Sequence, residues 1–290
     1  MHPLATPVFE ADVLDEHVRE LAGDLPIATF TLQSLNSLLG GVFPGRMTAL
    51  GATPGAGKTT LMQMMAEDLA TQGLPVIFVS AELPAPKLLA KSLARLSDGR
   101  LEVGDVAAAA NPGSEKHGVF ADALELYRER VAPNLCIMTE YNLASITRAI
   151  GSCADERGKT PVLFVDYLQL AATSGADPFV DERLAIAACV KGLRDLSNCC
   201  RAPIFAISTI TRSDYGKKSP NLSIFGGTAA IEYSFDSALL LTEDPNPGPS
   251  RNARFGDRPM LLTALKNRYG SLGNTTLGFD CAHATFREWD

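Results

Sequence analysis

Apolar positions along the chain fall into two rhythms. From residue 31 onward, short aliphatic and β-branched runs at 47–50, 76–80, 135–138, 162–165, 204–208, 238–241 and 260–265 read as strands. Between them, 59–71, 85–97, 119–130, 143–157 and 182–198 repeat their apolar residues at helical spacing. Strands alternating with helices predict an α/β fold with a doubly wound, mostly parallel sheet flanked by helices, spanning 31–290. Residues 1–30 stand apart from this pattern. There Val13, Leu14, Val18 and Leu21 mark the apolar stripe of a helix over 9–22, stopped at Gly23. Two stretches, 213–225 and 243–257, are dense in Gly, Pro, Ser, Asn and charge and read as loops.

Composition changes this picture only at the margins. With 290 residues, 46% hydrophobic and 20% charged, the chain can bury a large core and is neither fibrous nor disordered. A net charge of −7 argues against a domain that coats nucleic acid over its whole surface. It leaves room for a local basic channel, such as the lumen of an oligomer. The six cysteines are scattered, several of them in apolar runs where they would pack as small hydrophobes. None forms a CxxC pair, which predicts a reducing compartment and no zinc site. No run approaches the roughly 18 apolar residues of a membrane span, and the N-terminus is too acidic for a signal peptide. These features predict a cytoplasmic protein without a membrane partner.

The strongest chemical signal lies at 47–70, MTALGATPGAGKTTLMQMMAEDLA. An apolar strand enters a Gly-rich turn and leaves it as a helix, which is the context a phosphate-binding loop requires. Ala52, Thr53, Pro54, Gly55, Ala56, Gly57, Lys58, Thr59 and Thr60 are therefore the candidate nucleotide-binding residues. Lys58 would reach the terminal phosphates and Thr59 would give its hydroxyl to Mg²⁺. Ala52 stands where the G-x-x-x-x-G-K-[ST] pattern has its first glycine, a departure of one methyl group.

Two carboxylates follow at strand ends. Glu82 sits just beyond the 76–80 strand, where ligands of open parallel sheets collect, and is the candidate that orients water; a solvated loop glutamate is the alternative. Asp166 closes the apolar run before it, and Mg²⁺ coordination would offset the cost of burying its charge; a turn-capping aspartate is the alternative. Tyr167 follows Asp166 where a second carboxylate would otherwise stand, which points back to Glu82.

These runs carry a resemblance. Ser80-Ala81-Glu82-Leu83-Pro84, the VDYLQL run from Val165, the 193–212 segment, Ala230-Ile231-Glu232 with Asp236, and Lys266-Asn267-Arg268-Tyr269-Gly270 occur in one order. Over nearly all of 31–290 the chain closely resembles the C-terminal motor domain of DnaB-type replicative DNA helicases. The resemblance implies a RecA-like P-loop NTPase fold and a homo-oligomeric, hexameric ring that hydrolyses ATP between subunits while moving along single-stranded DNA in DNA replication. It implies Mg²⁺ held by Thr59 and Asp166, water activated by Glu82, and Lys266 and Arg268 reaching the neighbour's γ-phosphate. A primase or a helicase loader is the further partner it suggests.

The chain also departs from that family. Ser208-Thr209 replaces the usual Ser-Gln, leaving Thr209 as the sensor. Gly226-Gly227 replaces an Arg-Glu pair in the DNA-binding loop, so contact with DNA falls to Arg212, Lys217, Lys218 and the Gly226-Gly227-Thr228 backbone. Nothing corresponds to the family's N-terminal helical domain, and the 9–22 helix resembles the linker helix that docks on the next subunit, so the reading is of a stand-alone motor. An ATP-switched assembly or loading factor, and a RecA-like recombination or regulatory ATPase, are the competing readings. A pure switch needs neither Glu82 nor Arg268; a motor needs both. The remaining expectations are structural: Cys199-Cys200 pack at a helix end, His17, His117 and His283 have no metal-ligand spacing, and Phe286 and Trp289 cap the last strand.

Overall fold

The computed structural model describes residues 10–22, 24–173, 181–210, 221–225, 229–254 and 256–289. Six of its strands run parallel: β1 (Met47–Ala52), β2 (Val76–Ser80), β3 (Leu135–Met138), β4 (Val162–Asp166), β5 (Ile204–Ser208) and β6 (Ser237–Glu243). Three antiparallel strands, β7 (Arg258–Asn267), β8 (Asn274–Asp280) and β9 (Thr285–Glu288), extend the same sheet, whose order is β3-β2-β4-β5-β1-β6-β7-β8-β9.

Every residue of β1, β2, β4 and β5 is buried. Such strands need helices on both faces. Successive side chains divide between the faces by the period of two. Phe78, Phe164 and Phe205 point to one core with Leu61, Met65 and Leu69 of α3 (Lys58–Thr71). Ile77, Val79, Leu163 and Val165 point to the other, with Ile146 and Ile150 of α7 (Leu143–Arg157) and Val190 and Leu193 of α9 (Glu182–Cys200). A third cluster joins α4 (Ala85–Leu96), α5 (Val106–Ala109) and α6 (His117–Arg130) through Leu93, Val106 and Ala123.

The predicted N-terminal helix is α1 (Glu10–Ala22), and its apolar stripe is open: Leu14, Val18 and Leu21 are 50%, 55% and 75% exposed. The elements that periodicity did not predict are short or polar. They are α2 (Gln33–Leu39), α5, α8 (Leu168–Thr173), α10 (Ala229–Ser234), β8 and β9. Helix α2 has two turns and stops at Gly40 in the left-handed region (φ 75°). Strands β8 and β9 lack an unbroken apolar run because Thr275, Thr276, Arg287 and Glu288 lie half-exposed among the buried Leu277, Phe279 and Phe286. Strand β7 is longer than the predicted 260–265.

Side-chain expectations need two corrections. Cys199 is exposed, with its sulfur 3.2 Å from that of Cys200, so the pair is not simply packed; Cys136 and Cys281 are exposed too, and Cys189 alone of the six is fully buried. Phe286 is a core residue at 2% exposure, and the Trp289 indole donates to the Gly248 carbonyl (2.8 Å), tying the end of the chain to the 243–257 loop. Among the described residues no three His, Cys, Asp or Glu form a metal-binding group, and no helix is long and apolar enough to cross a membrane.

Candidate nucleotide-binding site

Strand β1 delivers its buried C-terminal end, Ala52, to a turn that must reverse and open into α3. Two glycines make the reversal, Gly55 and Gly57, with φ of 76° and 89°. Gly57 has a second reason to be glycine. A β-carbon there would lie 2.7 Å from Phe279 and 2.9 Å from Phe286, whose rings stack at 4.4 Å between centroids. The Ala56 amide closes the turn on the Thr53 carbonyl (3.1 Å), and Arg258 props it from β7 by donating to the Gly55 carbonyl (3.0 Å) while pairing with Glu243.

Helix α3 then starts at Lys58 with no side-chain cap and no acid in its first turn. Its unspent N–H groups and the positive end of its dipole are left for an anion. Lys58 and Thr59 occupy the first two helical positions, so the ammonium and the hydroxyl sit beside those N–H groups.

The two strand-end carboxylates come to the same place. Glu82 carries an oxygen 3.7 Å from the Lys58 ammonium and is 44% exposed, so it remains reachable by water. The Ala81 amide donates to the Asp166 carbonyl (2.7 Å), fixing the end of β2 against that of β4. Asp166 is 1% exposed, and neither carboxylate oxygen has a hydrogen-bond partner of acceptable geometry. Burial pushes its pKa up to about 6 against the pull of the neighbouring Thr59 hydroxyl, Lys58 and Lys91. An orphaned, buried carboxylate beside a threonine hydroxyl is a hard-oxygen donor set that fits a divalent cation such as Mg²⁺.

Three participants escaped sequence reasoning. Lys91, on α4, donates to the Thr60 hydroxyl (3.2 Å), and burial lowers its pKa although Asp166 and Glu82 favour its charge. Gln169, in the VDYLQL run, donates to Ser208 (3.0 Å) and accepts from the Thr209 amide (3.2 Å), so it joins the start of α8 to the end of β5, where the sensor is expected. Arg258 is the third. Gln169 lies within a recognised motif and was the most legible of these; Lys91 and Arg258 carry no local signal. An apolar cavity of about 380 Å³ is lined by Phe30, Leu35, Met64, Val131 and Phe286 and by no residue of the phosphate loop.

Lys58, Thr59, Glu82 and Asp166 thus converge, and Gln169, three residues beyond Asp166, holds the Thr209 amide. Lys266 and Arg268 do not join them. Strand β7 runs antiparallel to β6, with Met260 opposite Glu243 and Asn267 opposite Ser237, which places Lys266 and Arg268 at the other end of the sheet. There the Lys266 ammonium donates to the Glu232 and Phe235 carbonyls (both 2.6 Å), and Arg268 binds Asp236 (2.9 Å) and the Tyr233 carbonyl (3.2 Å). Arg212, Lys217, Lys218, Gly226, Gly227 and Thr228 lie outside the described residues.

A family model for the DnaB-like helicase C-terminal domain matches residues 28–288. The chain is 29% identical over 264 residues to the replicative DNA helicase DnaB of Treponema pallidum, covering 88% of this chain and 54% of that protein. It is 29% identical over 242 residues to a probable plasmid replicative DNA helicase of Chlamydia trachomatis, covering 81% and 49%. The chain therefore spans about half the length of the curated relatives it matches. Its fold is similar to the ATPase domain of G40P, with a TM-score of 0.79 at 18% identity over 98% of this chain and 100% of that one. It is also similar to a DnaB-like replicative helicase described with its interactions with primase, with a TM-score of 0.78 at 17% identity over 99% and 68%.

Proposed function

Because the chain belongs to the DnaB-like helicase C-terminal domain family, we propose that it is the ATP-hydrolysing motor of a homo-oligomeric ring. The ring moves on single-stranded DNA in cytoplasmic DNA replication. What supports this reading is the separation of Arg268 from the phosphate loop of its own chain. Arg258 touches its own phosphate loop at one end of β7, and Arg268 lies ten residues along the chain at the other. At about 3.3 Å per residue that is on the order of 30 Å, beyond the reach of any side chain. An arginine placed so serves a neighbour's nucleotide, where a guanidinium opposite the transferred phosphoryl group is worth roughly 10³–10⁵ in rate.

Within one subunit Lys58 and the α3 amides bind the terminal phosphates of ATP, and Thr59 and Asp166 hold Mg²⁺. The cation, when bound, neutralises charge developing on the phosphate oxygens. Glu82 orients the attacking water and accepts its proton. Thr209, tethered by Gln169, carries the state of the nucleotide toward the segment that contains Arg212, Lys217, Lys218, Gly226, Gly227 and Thr228, which contacts DNA from the lumen. The open apolar stripe of α1 covers itself against the adjacent subunit, and a primase or loader meets the assembled ring.

The shared site is tested by mixing. Arg268→Ala and Lys58→Ala proteins each bind or hydrolyse poorly alone. Only mixed oligomers contain an interface with an intact loop on one side and an intact arginine on the other. Turnover that returns at intermediate ratios, after subunit exchange has been verified with labelled protein, supports the reading; exchange without recovery overturns it.

A further inference from the structure

Arg268 is held by one carboxylate that is itself pinned from two other directions. Asp236 is 2% exposed and follows α10, directly before β6. One of its oxygens, Oδ2, accepts from the Met47 amide at the start of β1 (2.9 Å) and from Arg194 on α9 (2.9 Å). The other, Oδ1, accepts among the described residues from Arg268 alone (2.9 Å), while the Arg268 amide donates to the Asp236 carbonyl (2.9 Å). The two oxygens divide their work. Oδ2 is fixed to the central strand and a long helix, and Oδ1 spends that rigidity on the guanidinium.

The surroundings support a presented cation rather than a sealed one. Lys266, Arg194 and Arg268 gather round this aspartate, and burial followed by the Arg268 charge lowers the pKa of Lys266. The site retains excess positive charge where a polyphosphate would arrive. The Arg268 side chain is 46% exposed although its partner is buried. Beside it Tyr233 and Tyr269 are 76% and 57% exposed, and the Arg46 guanidinium is sandwiched between the Phe43 and Tyr269 rings at 3.6 and 4.0 Å.

We propose that Asp236 is a positioning residue for the trans-acting arginine: through Oδ1 it fixes the Arg268 guanidinium at the subunit face before the neighbour's nucleotide meets it. The inference rests on the shared-site reading above. Asp236→Asn is the discriminating variant. The asparagine oxygen satisfies the two donors, the Met47 amide and Arg194, and turns its NH₂ toward Arg268, where donor faces donor. The cradle stays and the guanidinium is released. Misplacing a reacting group by about 1 Å costs on the order of 10²-fold, so kcat falls about 10- to 100-fold with KM for ATP within about twofold.

The variant is scored in mixtures. Combined with Lys58→Ala subunits, which bring an intact Asp236–Arg268 pair, Asp236→Asn regains turnover; combined with Arg268→Ala subunits, whose lesion lies on the same face, it does not. Parental turnover by Asp236→Asn alone, or recovery with both partners, overturns the proposal. So does failure to recover with Lys58→Ala while the Arg268→Ala and Lys58→Ala control recovers, because that marks Asp236 as merely structural. If the control itself fails, the shared site is at fault. Should Asp236→Asn not stay folded, Arg268→Lys takes its place, since an ammonium keeps the charge but cannot span Asp236 and the Tyr233 carbonyl. The same pattern is expected, and an Arg268→Lys protein as active as the parent refutes the need for positioning.

Discussion

Gly57→Ala measures how tightly the phosphate loop is built onto its own sheet. The added methyl meets two costs. At φ 89° an L side chain is in the left-handed region, at about 1–2 kcal/mol. Its β-carbon would also lie 2.7 and 2.8 Å from atoms of the Phe279 ring and 2.9 Å from Phe286. Carbon atoms prefer roughly 3.5–4.0 Å, so a displacement of about 1 Å is required. The rings cannot give it easily, because they are 5% and 2% exposed and stack within 8° of parallel. Overpacking of that kind costs about 1–3 kcal/mol, for a total of about 2–5 kcal/mol. In a domain of this size the loss lowers Tm by roughly 3–10 °C, and the displaced loop weakens an ATP analogue at least about tenfold. Thermal melting by circular dichroism and a fluorescent-nucleotide titration read the two effects. A double-mutant cycle with Phe279→Leu separates the costs, since the leucine relieves the contact but leaves the backbone strain. Coupling of about 1–3 kcal/mol is expected. A Gly57→Ala protein that melts within about 1 °C of the parent and binds nucleotide normally would show that the loop is not seated against these rings.

Three further outcomes follow from the same geometry. Glu82→Gln keeps shape and loses charge, so nucleotide affinity persists while hydrolysis falls by orders of magnitude; equal loss of both would mark Glu82 as structural. Lys217→Ala with Lys218→Ala weakens single-strand binding and flattens its salt dependence by roughly 0.7 per lost phosphate contact; an unchanged slope moves the DNA path to another segment. Burial raises the Tyr127 pKa to about 12, so its contribution to stability is complete below about pH 10. It is lost as pH rises from there through the folded value. Between pH 9 and 11 the parent should lose more Tm than Tyr127→Phe, and parallel curves would deny the effect.

What the sequence reveals here follows from how locally each feature is specified. The buried parallel strands and their long helices are written as uninterrupted apolar runs and three-to-four spacing, and the phosphate loop as a contiguous motif. Glu82 and Asp166 were legible because strand ends of a parallel sheet converge by topology alone. Strands β8 and β9 were not, since an antiparallel edge with one wet face mixes Thr and Arg among its apolar residues. Lys91 and Arg258 were invisible because each acts through one long-range contact, with Thr60 and Gly55 respectively, and residues 31 and 203 positions apart leave no local pattern. Lys266 and Arg268 were singled out by resemblance, and the fold supplies the physical reason that they cannot serve their own nucleotide.

The most direct test of a motor against a nucleotide-operated switch is ATP turnover by the purified chain with and without single-stranded DNA. A motor whose DNA contacts and catalytic carboxylate are coupled through Thr209 and Gln169 should hydrolyse ATP severalfold faster or more when the strand is present, and Glu82→Gln should abolish the stimulated rate. Turnover that is indifferent to single-stranded DNA, in protein shown to bind that DNA and to assemble, would contradict the account.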